Sequence, residues 1–113
     1  MQVSIIIVNY NTFAFTCATI QSVINRSEAI SYEIIVVDNA STECPAEHFK
    51  EKFPLIKLIK NPTNQGFAKG NNLGIAHATG QYIVLLNSDA ELKNNAIDIA
   101  MQKMEQQPEI GVL

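Results

Sequence analysis

Apolar runs alternate along this chain with stretches whose hydrophobic residues return every three to four positions, and each apolar run stops at a polar cluster. Val3 to Val8 is rich in β-branched residues and predicts a strand, broken by Asn9-Tyr10-Asn11-Thr12. Beyond the break, Phe13, Cys17, Ile20 and Ile24 fall at i, i+4, i+7 and i+11, one face of a helix ending near Arg26. Tyr32 to Val37 predicts a second strand, halted by Asp38-Asn39-Ala40-Ser41-Thr42. Ser41 or Thr42 is placed to cap a short helix from about Pro45 to Phe53, with Pro45 in its first turn, where a missing N–H costs little. Leu55 to Ile59 predicts a third strand, and the turn chemistry of Asn61 to Gly66 predicts a loop. A helix from Phe67 to Ala78 follows, closed by Gly80 just past its C-terminus, and Tyr82 to Leu86 predicts strand four. Asn94 or Asn95 caps a last helix with a stripe of Ile97, Ala100, Met101 and Met104; Pro108 ends it, and Ile110 to Leu113 begins a further strand.

The resulting βαβα alternation implies an α/β fold, Rossmann-like, with a mostly parallel sheet and helices on both faces. A sheet of that kind seldom stops on the first residues of a strand, so the chain is expected to be the N-terminal part of a longer domain. The strand begun at Ile110 would then leave an open edge prone to self-association.

Composition narrows the functional classes. At 113 residues and 47% hydrophobic content the chain is one domain or part of one. A net charge of -3 and a single arginine, Arg26, argue against a nucleic-acid surface. The same scarcity means that a bound phosphate would draw its countercharge from a metal ion, backbone amides or residues elsewhere. No signal peptide or bilayer-length apolar run is present in these residues, so membrane association would come only through other regions. Cys17 and Cys44 lack metal-site spacing, which favours reduced thiols and a cytoplasmic location.

In a parallel sheet the polar clusters that follow the strands converge on one edge. Asp38 there is suited to accept hydrogen bonds from the N–H groups of a base, or to form a local Asx-type turn. Tyr10 is suited to stack on a base, or to be a half-buried loop aromatic. Gly66 opens a helix whose free amides favour an anion; Lys69 and Asn71 lie close enough to reach phosphate or ribose, or to form a solvated face. Gly70 and Gly74 are accounted for by close packing. Asp89 is the strongest metal candidate, because magnesium and manganese sites on nucleotides use one or two protein carboxylates. Asn87 shares its parity along the strand. His48 and His77 have no evident partner, and no G-x-S-x-G elbow is present.

Ser4-Ile5-Ile6-Ile7-Val8-Asn9-Tyr10-Asn11, Val36-Val37-Asp38-Asn39-Ala40-Ser41, Asn64-Gln65-Gly66-Phe67-Ala68-Lys69-Gly70-Asn71-Asn72 and Leu85-Leu86-Asn87-Ser88-Asp89 resemble, in order, the N-terminal motifs of family 2 glycosyltransferases. The rhamnosyltransferase-like branch is the most similar. The resemblance implies a GT-A fold and inverting transfer of a sugar from a nucleotide-diphosphate donor to a saccharide or lipid-linked acceptor, in cell-surface polysaccharide biosynthesis. It implies a donor site drawn from Asn9, Tyr10, Asp38, Asn39, Gly66, Lys69, Asn71, Asn87 and Asp89. Tyr10 would lie against the base, Asp38 would hydrogen-bond it, and Asp89 would hold Mn or Mg as the aspartate of the family's DxD motif. Asn87 occupies the first acidic place of that motif, which leaves one carboxylate for the metal. The general base and acceptor site are expected outside this chain, since Asp98, Glu105 and Glu109 lie away from the site edge. The rival readings are a flavodoxin-like binding or regulatory module, and a nucleotidyltransferase, which would need a basic first loop.

Overall fold

The computed structural model describes residues 2–27, 30–89, 97 and 99. Its element order is β1 (Val3–Asn9), α1 (Phe13–Arg26), β2 (Tyr32–Asn39), α2 (Glu47–Lys52), β3 (Lys57–Asn61), α3 (Phe67–Ala76) and β4 (Tyr82–Leu86). All strand pairs are parallel, in the order β3-β2-β1-β4. β1 is central and buried along its whole length, as suits its mostly apolar run, with Ser4 and Asn9 buried as hydrogen-bonded polar residues.

Side chains of successive strand residues divide between two cores. Val3, Ile5 and Ile7 of β1, with Ile34 and Val36 of β2, pack against Cys17, Ile20 and Val23 of α1 and Phe49 of α2. Ile6, Val8, Ile35 and Val37 pack on the opposite face, against Leu73 of α3. The chain first steps outward from β1 to β2 to β3, then returns past β1 to β4. Right-handed crossovers demand that such a reversal carry the helix to the other face, and α3 lies there. It sits close: a Cβ on Gly74 would fall 2.5 Å from Ile6 Cγ2, and one on Gly70 would fall 2.9 Å from Val8 Cγ1.

Several boundaries differ from the sequence expectation for identifiable reasons. β1 and β2 run on through Asn9 and Asn39 because their polar ends pair with each other and with β3. β3 begins at Lys57, since Pro54 has no ladder donor and the Phe53–Ile56 turn leaves Leu55 98% exposed. The buried face of α1 turns toward Val23, so Ile24 is 38% exposed. No side chain caps α2; the Ser41 hydroxyl is bonded elsewhere. Gly80 is not a helix-closing residue either, because α3 ends at Ala76 with His77 as its C-cap, and Gly80 presses against the backbone of Ser4. The last helix and the strand at Ile110 lie outside the described residues, apart from helical Ile97 and Ile99.

At the edge where the strands enter, Glu33 of β2 gathers the neighbouring elements. Its carboxylate accepts from Ser4 Oγ, Thr79 N at 2.7 Å and Thr79 Oγ1 at 2.9 Å, and pairs with Lys57 Nζ at 2.7 Å. Gly80 N in turn donates to Ser4 Oγ at 2.8 Å. Burial alone would push the Glu33 carboxyl up, but the Lys57, Ser4 and Thr79 donors together outweigh it and hold the group down at about 2. A depressed folded-state value stabilises the fold above the ordinary carboxyl range and ceases to do so as pH falls through it. Half-exposed Lys57 contributes a screened share, leaving on the order of 2 kcal/mol. Urea unfolding of wild type is therefore expected to lose that stability between pH 5 and about pH 2, and Glu33→Gln to show a correspondingly flatter profile.

Candidate functional site

All four strands leave the sheet at one edge, and the sequence-predicted site residues lie on it or on the first turns of α3. β1 and β4 are neighbours there, and the chain's direction reverses between them, the place where open α/β sheets hold ligands.

Asn9 and Asp38 are register partners at the ends of β1 and β2, both pointing to the α1 face. Asn9 Nδ2 donates to Asp38 Oδ1 at 2.7 Å and to Ser41 Oγ at 3.1 Å. Ser41 Oγ donates to the same Asp38 oxygen at 2.6 Å, while Ser41 N donates to Asp38 Oδ2 at 3.1 Å. The Asx-type turn is therefore formed, and it holds Ala40 at a left-handed φ of 61°. Asn11, also left-handed at φ 52°, ties the first loop to the second: its Oδ1 accepts from Thr42 N and Glu43 N at 2.8 and 3.1 Å. Glu43 completes the junction by accepting from Phe13 N at 2.6 Å at the start of α1.

Asn39 points to the other face and does the same for α3. It accepts from Asn61 Nδ2 at 3.0 Å and donates to Gly66 O at 3.1 Å. Gly66 adopts φ 91° and ψ 169°, a region essentially restricted to glycine, and this turns the chain into α3. Asn71 is buried on that helix, and its Oδ1 has no partner among the described residues.

Tyr10, Lys69, Asn87 and Asp89 are exposed. Asp89 forms no hydrogen bond or ion pair among the described residues, so its carboxylate is available, and a cation held there would need further ligands from outside these residues. The fit is to a single-carboxylate site; no cluster of three metal-ligating side chains occurs among the described residues. His48 packs edge-on to Phe13 and His77 Nδ1 contacts Leu73 O, so neither enters the site. An apolar groove of about 570 Å³, lined by Ile24, Tyr32, Phe53 and Leu55 among others, opens at the entry edge, away from the strand ends.

Sequence reasoning missed Thr12, at the N-cap of α1, and Thr16 and Thr19 within it. Thr12 Oγ1 and Thr16 Oγ1 each donate to Asn9 Oδ1 at 2.9 Å, and the Thr19 hydroxyl shares its one proton between Ser88 O at 2.9 Å, next to Asp89, and Phe15 O at 3.0 Å. These hydroxyls tie the end of β1 and the turn after β4 to α1, and reach the turn after β2 only through Asn9. Their spacing of four and three within an apolar face was the available signal, because buried hydroxyls require partners.

The sheet, with strand-end carboxylates on either side of its central strand, is that of a doubly wound α/β protein. Residues 4–113 match the family model described as glycosyl transferase family 2, and the chain belongs to that family. It is 35% identical over 107 residues to an uncharacterized glycosyltransferase of Rickettsia bellii, covering 93% of this chain and 15% of the relative. It is 30% identical over 110 residues to one of Haemophilus influenzae, covering 97% of this chain and 37% of the relative. Among solved structures, that of S. aureus TarS 1-349 superposes with a TM-score of 0.83 at 20% identity, over 96% of this chain and 33% of that one. TarS 1-349 structures in complex with UDP and with UDP-GlcNAc give TM-scores of 0.82 and 0.81. The fold is thus of the GT-A type, and the chain spans a minor part of its relatives' length.

Gly66 offers a test of how the site is held. A Cβ there would meet nothing within 4 Å, so Gly66→Ala probes backbone conformation without steric crowding. It is expected to lower stability by about 1 to 3 kcal/mol in urea unfolding, and to shift the amide resonances of α3's first turn.

Proposed function

We propose that residues 1–113 form the donor-binding part of an inverting glycosyltransferase, which moves a sugar from a nucleotide diphosphate to an acceptor hydroxyl. The observation that carries this reading is the pairing of two carboxylates at one strand edge: Asp38 clamped into a turn, and Asp89 exposed beyond β4. A clamped acceptor suits a base; an exposed one suits a metal.

In this reading Tyr10 stacks on the base and Asp38 accepts a hydrogen bond from it. Asn9 and Asn39 act as braces, Asn9 holding Asp38 and Asn39 holding the Gly66 turn. The first amides of α3, with Lys69, face the phosphates, and Asn71 offers its unpaired oxygen to a ribose hydroxyl. Asp89, with Asn87 beside it, would hold Mg or Mn. A bound divalent cation would stabilise the charge that builds on the leaving diphosphate. This chain's own residues orient the donor so that the face of the sugar opposite the diphosphate is open to attack, as inversion requires. The base that takes the acceptor's proton, and the saccharide or lipid-linked acceptor's own site, are assigned to the further length that the relatives possess. A role in cell-surface polysaccharide synthesis accords with this reading. The free thiols Cys17 and Cys44 support cytoplasmic action, and no described helix is long and apolar enough to cross a membrane.

Calorimetric titration with UDP and dTDP is expected to show weak binding that tightens about tenfold when Mn or Mg is present. Asp89→Ala should abolish the metal-dependent gain while leaving metal-free binding in place. Affinity indifferent to both EDTA and Asp89→Ala would remove Asp89 from the metal role; absence of nucleotide binding under all conditions would overturn the reading.

A further inference from the structure

We infer that Asn9 and Ser41 determine which base the site accepts, by saturating one oxygen of Asp38. The inference rests on the donor-binding reading, in which Asp38 meets the base. Ser41 Oγ accepts from Asn11 N at 2.9 Å and shares, at 3.1 Å, the Asn9 Nδ2 hydrogen that points at Asp38; both neighbours are donors, so its only proton goes to Asp38 Oδ1. Asn9 Nδ2 gives a second hydrogen to that same oxygen. The Asn9 amide is not free to flip: Thr12 and Thr16 hydroxyls both reach its Oδ1, and reversal would turn that oxygen against Asp38, acceptor to acceptor. Asp38 Oδ1 therefore has two donors for two lone pairs. Oδ2 receives only Ser41 N among the described residues and keeps one acceptor position.

A carboxylate with one open acceptor fits a base that presents one ring N–H between carbonyls, as uracil and thymine do. Guanine presents two adjacent donors, its ring N–H and its exocyclic amine, which a carboxylate meets with both oxygens side by side. Here the second donor would face a saturated oxygen at a residue only 5% exposed, and would stay unpaired. A donor stranded in that way weakens binding by about 5- to 150-fold. The site thereby selects uridine or deoxythymidine diphosphate sugars and rejects guanosine ones.

Inosine diphosphate isolates the amine, since hypoxanthine keeps the ring N–H and neighbouring carbonyl of guanine but lacks its second donor. Titration of the wild-type protein with UDP, IDP and GDP at constant Mg is expected to rank UDP tightest, with IDP at least about 5-fold tighter than GDP. Ser41→Ala frees an acceptor on Oδ1 and should bring IDP and GDP within about twofold, whereas Ser41→Thr keeps the hydroxyl and the wild-type ratio. GDP binding as tightly as IDP, or rejection of both purines alike, overturns the inference while UDP binding leaves the donor reading intact. An unchanged ratio in folded Ser41→Ala also overturns it. If Ser41→Ala does not fold, the wild-type comparison of IDP with GDP decides alone. Failure of all three nucleotides to bind overturns the donor reading together with the inference.

Discussion

A carboxylate withdrawn from water must be met by hydrogen-bond donors, and β2 buries two of them, Glu33 where it enters the sheet and Asp38 where it leaves. The fold is organised around meeting that demand. At the entry edge the donors come from β1, β3 and the segment before β4, so Glu33 ties together strands that are distant in sequence. At the exit edge they come from β1 and the turn after β2, and the donors are themselves held by α1. Because the two residues are an odd number apart, their side chains emerge on opposite faces, and each draws in the helix or loop on its own side.

The exit edge shows how loops are held in place by a neighbouring helix. The clusters after β1, β2 and β4 are short, polar and include left-handed non-glycine residues, features that would leave isolated loops mobile. Here Thr12 at the N-cap of α1, with Thr16 and Thr19 on its buried side, bonds Asn9 at the end of β1 and Ser88 after β4, and Asn9 carries the link on to the turn after β2. The apolar contacts of α1 with Ile5, Ile7 and Val36 fix its position on the sheet. Site geometry is thus set by core packing, which accords with superposition on TarS at 20% identity.

Much of this was legible in the chain itself. Strands and helices followed from the two hydrophobic periods, and β4 fell at its expected residues because Tyr82 to Leu86 has no competing signal. The strand-end clusters on one edge followed from the parallel topology alone. What escaped were features that depend on partners far away in sequence. Ser41 carries the same local signal as a helix cap, yet the buried Asp38 and Asn11 claim it. Gly80 resembles a helix terminator, but its small size is used against Ser4. Asn9 and Asn39 read as ligand contacts, and the sequence alone does not display that their amides also bond Asp38 and Gly66 within the protein. A single sequence displays the type of a polar side chain but not which buried group will need it.

The two anchors of β2 stand five residues apart, about 17 Å along the strand, and share no donor. That separation bears on how such a scaffold diversifies. Substitutions among Asn9, Ser41 and their neighbours alter one edge, while the Glu33 junction at the other continues to hold the strands in register. Distant, uncoupled positions tend to contribute independently, so sequence drift at the ligand edge need not erode the margin of stability that makes further drift survivable. Descendants of one ancestral domain would then come to prefer different substrates while conserving their architecture.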